Sequence, residues 1–125
     1  MYSVSVETSF CATHRVRLPD GTVEPSHGHD WRVRVFFARA ELDDNGMVVD
    51  FDAARETLCA VTATLHHADL NAIRAFAGRN PTAEVVARYL FEQVRKRGFP
   101  QICCVEVTEA PGCVATFEVR PHVSG

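Results

Sequence analysis

Lysine is almost missing from this chain: Lys96 is the only one among its 13 basic residues, and the others are arginines. Long apolar runs are missing too, and none approaches the roughly 18 residues of a membrane span. The opening residues, MYSVSVETSF, alternate polar and apolar side chains. They carry no basic patch ahead of an apolar stretch, so they do not read as a secretory leader. The five cysteines, Cys11, Cys59, Cys103, Cys104 and Cys113, are odd in number and never spaced Cys-x-x-Cys. That argues against a disulfide framework and against a thiolate zinc site. Reduced thiols and a cytoplasmic location are the expectation. A net charge of -3 offers no broad basic surface, so neither nucleic acid nor an anionic membrane is an expected partner, and a small molecule is. Internal repeats and low-complexity tracts are absent.

What is present fits one folded domain over residues 1–125, with 46% hydrophobic and 23% charged residues. From Tyr2 to His14 the even positions carry Val4, Val6, Phe10, Ala12 and His14, a period of two that marks a half-buried strand. Turn formers around Pro19-Asp20-Gly21 and Glu24-Pro25-Ser26 interrupt it. The period resumes at His27, His29, Trp31, Val33, Val35 and Phe37, ending near the turn Asp43-Asp44-Asn45-Gly46. Ala54, Leu58, Val61 and Leu65 then fall at helical spacing, which predicts a helix over 52–66. Residues 66–80 read as a loop. Asn80 is a predicted N-cap, with Pro81 in the first turn and Gly98 at the end of a second helix. A last hairpin turns at Pro111-Gly112. The order ββααββ predicts an α+β fold: a four-stranded antiparallel sheet with two helices on one face. Its open edges predict pairing with other copies of the chain.

His27-Gly28-His29 places two imidazoles on one side of a strand, and His14 ends the neighbouring strand on its buried face. Three convergent imidazoles match a catalytic zinc site with one open position. Such an ion polarises an alcohol or carbonyl oxygen of a substrate.

The segments Phe10-Cys11-Ala12-Thr13-His14, His27-Gly28-His29, Gly46-Met47-Val48-Val49-Asp50-Phe51, Leu65-His66-His67-Ala68-Asp69-Leu70-Asn71, Pro81-Thr82-Ala83-Glu84 and Thr108-Glu109 run in register over nearly the whole chain. Together they make it resemble the 6-pyruvoyltetrahydropterin and 6-carboxytetrahydropterin synthase family. The resemblance implies zinc held by His14, His27 and His29, Glu109 on the pterin edge and Thr82 beside the ring. Thr82 and Glu84 also have a plain reading as first-turn helix residues. The resemblance further implies a tunnelling fold (T-fold), with two trimeric barrels stacked into a homohexamer and sites between subunits.

Two positions depart from the pattern. Val23 stands where the pyruvoyl and carboxy branches place a cysteine, and a valine moves no proton. Glu24 instead gives Glu-x-x-His-Gly-His, similar to the subgroup that cleaves 7,8-dihydroneopterin triphosphate to 6-hydroxymethyl-7,8-dihydropterin for folate synthesis. Glu24 is then the base. His66 replaces an expected Asp before His67, the acid/base histidine, and a like-charged neighbour lowers imidazole basicity; Asp69 is a substitute partner. Four readings stay open: this lyase, the carboxy (queuosine route) or pyruvoyl synthase, a pterin-binding homologue with altered catalysis, and an unrelated metal hydrolase.

Overall fold

The computed structural model describes residues 1–120, so residues 121–125 of the expected domain lie outside the described residues. The two period-two segments form long strands, β1 (Tyr2–His14) and β2 (His27–Arg39), paired antiparallel from Tyr2↔Arg39 to His14↔His27. They are followed by α1 (Phe51–Ala63), β3 (Ala68–Asp69), α2 (Ala83–Lys96), β4 (Ile102–Ala110) and β5 (Cys113–Glu118). The sheet is five-stranded, in the order β3-β1-β2-β4-β5.

The expected four-stranded antiparallel sheet is therefore corrected to a mixed one, because β3 joins the edge of β1 in parallel through Ala12↔Ala68 and Thr13↔Asp69. Two residues are too short to show a period, and they sit where a loop was expected over 66–80. The rest of that stretch holds two 3-10 turns, Leu70–Ala72 and Arg74–Phe76.

α1 starts where the Asp50 carboxylate accepts from the Asp52 amide at 3.0 Å, and it ends at Ala63, short of the predicted 66. His67 reverses the chain there with a φ of 60°, in the left-handed region uncommon outside glycine. α2 is capped by Thr82, whose hydroxyl accepts from the Val85 amide at 3.3 Å, and not by Asn80.

Both helices lie on one face of the sheet. Trp31, Val33, Val35 and Phe37 of the central strand pack against Leu58, Leu90, Phe91 and Val94, all essentially inaccessible. Truncating a buried Trp or Phe of this kind costs about 3–5 kcal/mol. Among the described residues no element covers the opposite face, where Ser9, Arg32 and Arg34 are exposed. β1 and β2 thus form a long paired arm at the centre of the sheet, and its end beyond the β4 pairing carries the three histidines.

Candidate metal centre and substrate cavity

Pairing brings His14 directly opposite His27 and sets Ala12 opposite His29, so the three imidazoles share one face at one end of the arm. His14 is fully buried; His27 and His29 are partly exposed. Trp31, one pleat further in, packs edge-on against His14 and His29, with centroids 4.9 and 5.7 Å away. Its indole N–H donates to the Ala12 carbonyl at 3.2 Å, which fixes the floor beneath the rings.

The ring nitrogens sort themselves by what they face. His14 Nδ1–H donates to the Pro81 carbonyl at 2.8 Å, and His27 Nδ1–H donates to the Pro25 carbonyl at 3.0 Å. A carbonyl only accepts, so the proton of each neutral ring sits on Nδ1 and the Nε2 lone pair is free. Those two Nε2 atoms stand 3.1 Å apart. His29 Nε2 is buried without a hydrogen-bond partner. The Glu109 carboxylate enters the same space, with Oε1 2.8 Å from His14 Nε2 and 3.4 Å from His29 Nε2.

Four potential ligand atoms, one from each of His14, His27, His29 and Glu109, thus converge within 4.8 Å of one another, and the Nε2 lone pairs of His14 and His27 are free for an ion. A single proton satisfies one pair; a divalent cation satisfies all four. The edge of a zinc tetrahedron with bonds of about 2.0–2.1 Å is roughly 3.3–3.4 Å, close to the separations here. The donor set fits zinc, and the carbonyl partners on Nδ1 are the outer contacts that orient metal-binding histidines. Burial lowers the His29 pKa, with His27 and His14 adding to that and Glu109 and Glu24 opposing it. The ring therefore stays neutral, as a ligand must.

Glu24 reaches this cluster from the loop over residues 15–26, with Oε1 3.6 Å from His27 Nε2. The loop is latched in a way the sequence did not announce. Asn71 takes the Arg15 amide on Oδ1 at 2.7 Å and donates Nδ2 to the Arg15 carbonyl at 3.0 Å. Asn80 grips Arg17 by the same two bonds at 2.7 and 3.0 Å. Between them the Val16 amide donates to Glu24 Oε1 at 3.1 Å, and the Glu24 amide donates to the Val16 carbonyl at 3.1 Å. Every other residue of segment 15–17 is clamped by a side-chain amide, which holds the Glu24 carboxylate beside the imidazoles. The signal in the sequence was two loop asparagines, one of them read as a helix cap.

Glu24, His27, His29, Thr82, Glu84 and Glu109 line one cavity of about 330 Å³, and no cysteine lines it. Thr82 is thus at the site while also capping α2. His67 and Asp69 are elsewhere: they line a separate cavity of about 660 Å³, with Cys11, Thr13 and Asp30, that meets the metal pocket only at His29. The Asp69 carboxylate caps the first 3-10 turn by accepting from the Asn71 amide at 3.1 Å. The His67 ring stacks on His66 with centroids 3.7 Å apart. His66 Nδ1 accepts from the Cys11 amide at 3.1 Å, so it serves the backbone of β1. Cys11 donates its thiol to Asp30 at 2.8 Å. That bond, with burial and the Asp30 charge, raises its pKa and keeps it protonated.

The arrangement is an α+β domain with a trihistidine pocket and two carboxylates aimed at it. The model of the 6-pyruvoyl tetrahydropterin synthase family matches residues 3–120. A 6-carboxy-5,6,7,8-tetrahydropterin synthase of Synechocystis sp. is 32% identical over 122 residues, spanning 94% of this chain and 93% of the relative. A dihydroneopterin monophosphate aldolase of Pyrococcus furiosus is 33% identical over 88 residues, 70% of each chain. Among solved structures, the 6-pyruvoyl tetrahydropterin synthase of Caenorhabditis elegans shares the fold, with a TM-score of 0.81 at 23% identity, over 95% of this chain and 96% of that one. The chain belongs to the 6-pyruvoyl tetrahydropterin synthase family.

Proposed function

We propose that this chain is a zinc-dependent lyase that cleaves the side chain of 7,8-dihydroneopterin triphosphate to 6-hydroxymethyl-7,8-dihydropterin. The observation that carries this reading is the Glu24 carboxylate, latched 3.6 Å from His27 Nε2 in a cavity lined by acids, histidines and no thiol. Val23 is 59% exposed on the loop. Cys11 lies on the other side of the sheet, bonded to Asp30. Proton transfer in this pocket therefore falls to a carboxylate.

His14, His27 and His29 would hold the zinc ion, which would supply a Lewis acid for a side-chain oxygen of the substrate. Glu24 takes the proton from the hydroxyl on the second side-chain carbon. The bond between the first and second carbons breaks, its electron pair staying on the first carbon, in conjugation with the pterin ring. The second carbon leaves as a two-carbon aldehyde bearing the phosphates. Glu24 then returns its proton to the first carbon. Glu109 borders both the metal pocket and a further cavity of about 740 Å³. A turn of its side chain presents both oxygens to the adjacent N–H donors of a pterin edge, with Thr82 beside the ring. The name of the Pyrococcus relative, an aldolase of a dihydroneopterin phosphate, supports the same bond cleavage. His67, which lines the separate cavity together with Asp69, serves as a further acid/base group. The exposed edge of β5 and the two-residue β3 edge suit assembly into two stacked trimers.

The carboxytetrahydropterin reaction is the second reading, favoured by the Synechocystis relative's likeness along 94% of this chain. The zinc-loaded protein, incubated with dihydroneopterin triphosphate and with the monophosphate, should yield 6-hydroxymethyl-7,8-dihydropterin by mass spectrometry. Exclusive 6-carboxytetrahydropterin would overturn the first reading in favour of the second.

A further inference from the structure

The uncovered face of the sheet carries two arginines, two residues apart on β2, in opposite settings. Arg34 is paired across the strands with Glu7 on β1 and Glu106 on β4. Its Nε and a terminal nitrogen both donate to Glu7 Oε2, at 3.2 and 3.1 Å. Its charge is answered. Arg32 is paired with Ser9 on β1 and Thr108 on β4, and among the described residues it makes no ion pair. Directly opposed residues on adjacent strands hold their Cβ atoms about 4.5–5.5 Å apart. Ser9, Arg32 and Thr108 thus form a cross-strand row in which a charge without an ion pair stands between two hydroxyl-bearing residues.

This row also has a route to the metal pocket. Ser9, Arg32 and Thr108 line the cavity of about 740 Å³ together with His29 and Glu109. Gly28 lies in its wall beside His29. Arg32 is the one arginine in the lining of this cavity, which also holds His29 and the Asp30 and Glu109 carboxylates; its planar fork matches phosphate oxygens, while hydroxyls donate to the oxygens that remain.

We infer that Ser9, Arg32 and Thr108 form an oxyanion subsite that takes the phosphate tail of the substrate and sets the preference for phosphorylated over unphosphorylated pterins. The identity of the tail rests on the dihydroneopterin phosphate reading, whereas the affinity of the row for phosphate does not.

The zinc-loaded protein and its variants are titrated calorimetrically with inorganic tripolyphosphate, and initial rates are measured with dihydroneopterin triphosphate and with unphosphorylated 7,8-dihydroneopterin. Arg32→Gln should weaken tripolyphosphate binding and raise KM for the triphosphate roughly 10- to 100-fold, the range for losing a charge-assisted partner. Its kcat, and its KM for the unphosphorylated compound, should stay unchanged. Ser9→Ala and Thr108→Val should shift KM the same way by a smaller factor. Arg34→Gln should do neither. An Arg32→Gln protein that binds tripolyphosphate and the triphosphate substrate like the parent overturns the subsite, as does an Arg34→Gln protein with an equal loss. Formation of 6-carboxytetrahydropterin with the Arg32 effect intact leaves the subsite standing and removes the lyase reading. The hydroxymethyl product with a silent Arg32→Gln does the reverse.

Discussion

The chain contains two groups of histidines, and they are built on opposite principles. His14, His27 and His29 stand on long paired strands, where the register of 13-residue strands leaves each ring one place to be. Two of the three have Nδ1 tied to a backbone carbonyl. His66 and His67 stand on a reversal of the chain, exposed, with one ring stacked on the other. In the first group the Nε2 lone pairs of His14 and His27 face inward, toward His29 and the Glu109 carboxylate. In the second, His66 has spent its acceptor on the Cys11 amide, and among the described residues no carboxylate bonds the His67 ring. Strand pairing fixes the first group, whereas the second sits on a turn of the chain.

That contrast can be broken at either end. The largest effect is expected at the buried ligand: His14→Ala should lose stoichiometric zinc by elemental analysis and with it all turnover, because it removes the fully buried imidazole at the back of the cluster. Full zinc retention would strike His14 from the ligands. Glu24→Gln should keep zinc and lower kcat by about 10²- to 10⁴-fold, the usual worth of a positioned acid/base. A variant with unchanged turnover would instead favour an altered pterin-binding role. His67→Ala should keep zinc and the fold and lower kcat by about 10²-fold, the low end of an acid/base contribution. A loss of zinc there would erase the distinction between the two groups. Asn80→Ala should unlatch one side of the Glu24 loop, costing about 1–2 kcal/mol in denaturant unfolding and lowering kcat while zinc content stays at one.

The smallest effect concerns acid. With its pKa lowered by burial, His29 binds a proton less readily folded than unfolded. As pH falls through 6.5 the unfolded chain takes up the proton first, so the metal-free protein should lose stability through that window and below it. His29→Gln should flatten the dependence of Tm on pH in that range; an unchanged slope would assign it to other groups.

Much of this was legible beforehand because it rests on period two. The even positions of β1 and the odd positions of β2 put His14, His27 and His29 on one face. The unreadable parts rest on contacts distant in sequence. Asn71 and Asn80 act on Arg15 and Arg17, 56 and 63 residues away, and no local pattern marks a side chain that imitates a strand partner. β3 is too brief for any period, and its pairing with β1 turned an expected four-stranded sheet into a five-stranded one. Asn80 looked like the cap of α2 because asparagine favours that place, but its side chain was already engaged, and Thr82 took the role. Glu109 was expected on the pterin edge from the family likeness; its closeness to the imidazoles became visible only once β4 was set beside β2.

Anomalous diffraction at the zinc edge, from crystals of the zinc-loaded protein, tests the account most directly. It predicts one strong peak about 2.0–2.1 Å from Nε2 of each of His14, His27 and His29. A peak held by other residues, or none at the convergence of these rings, would contradict it.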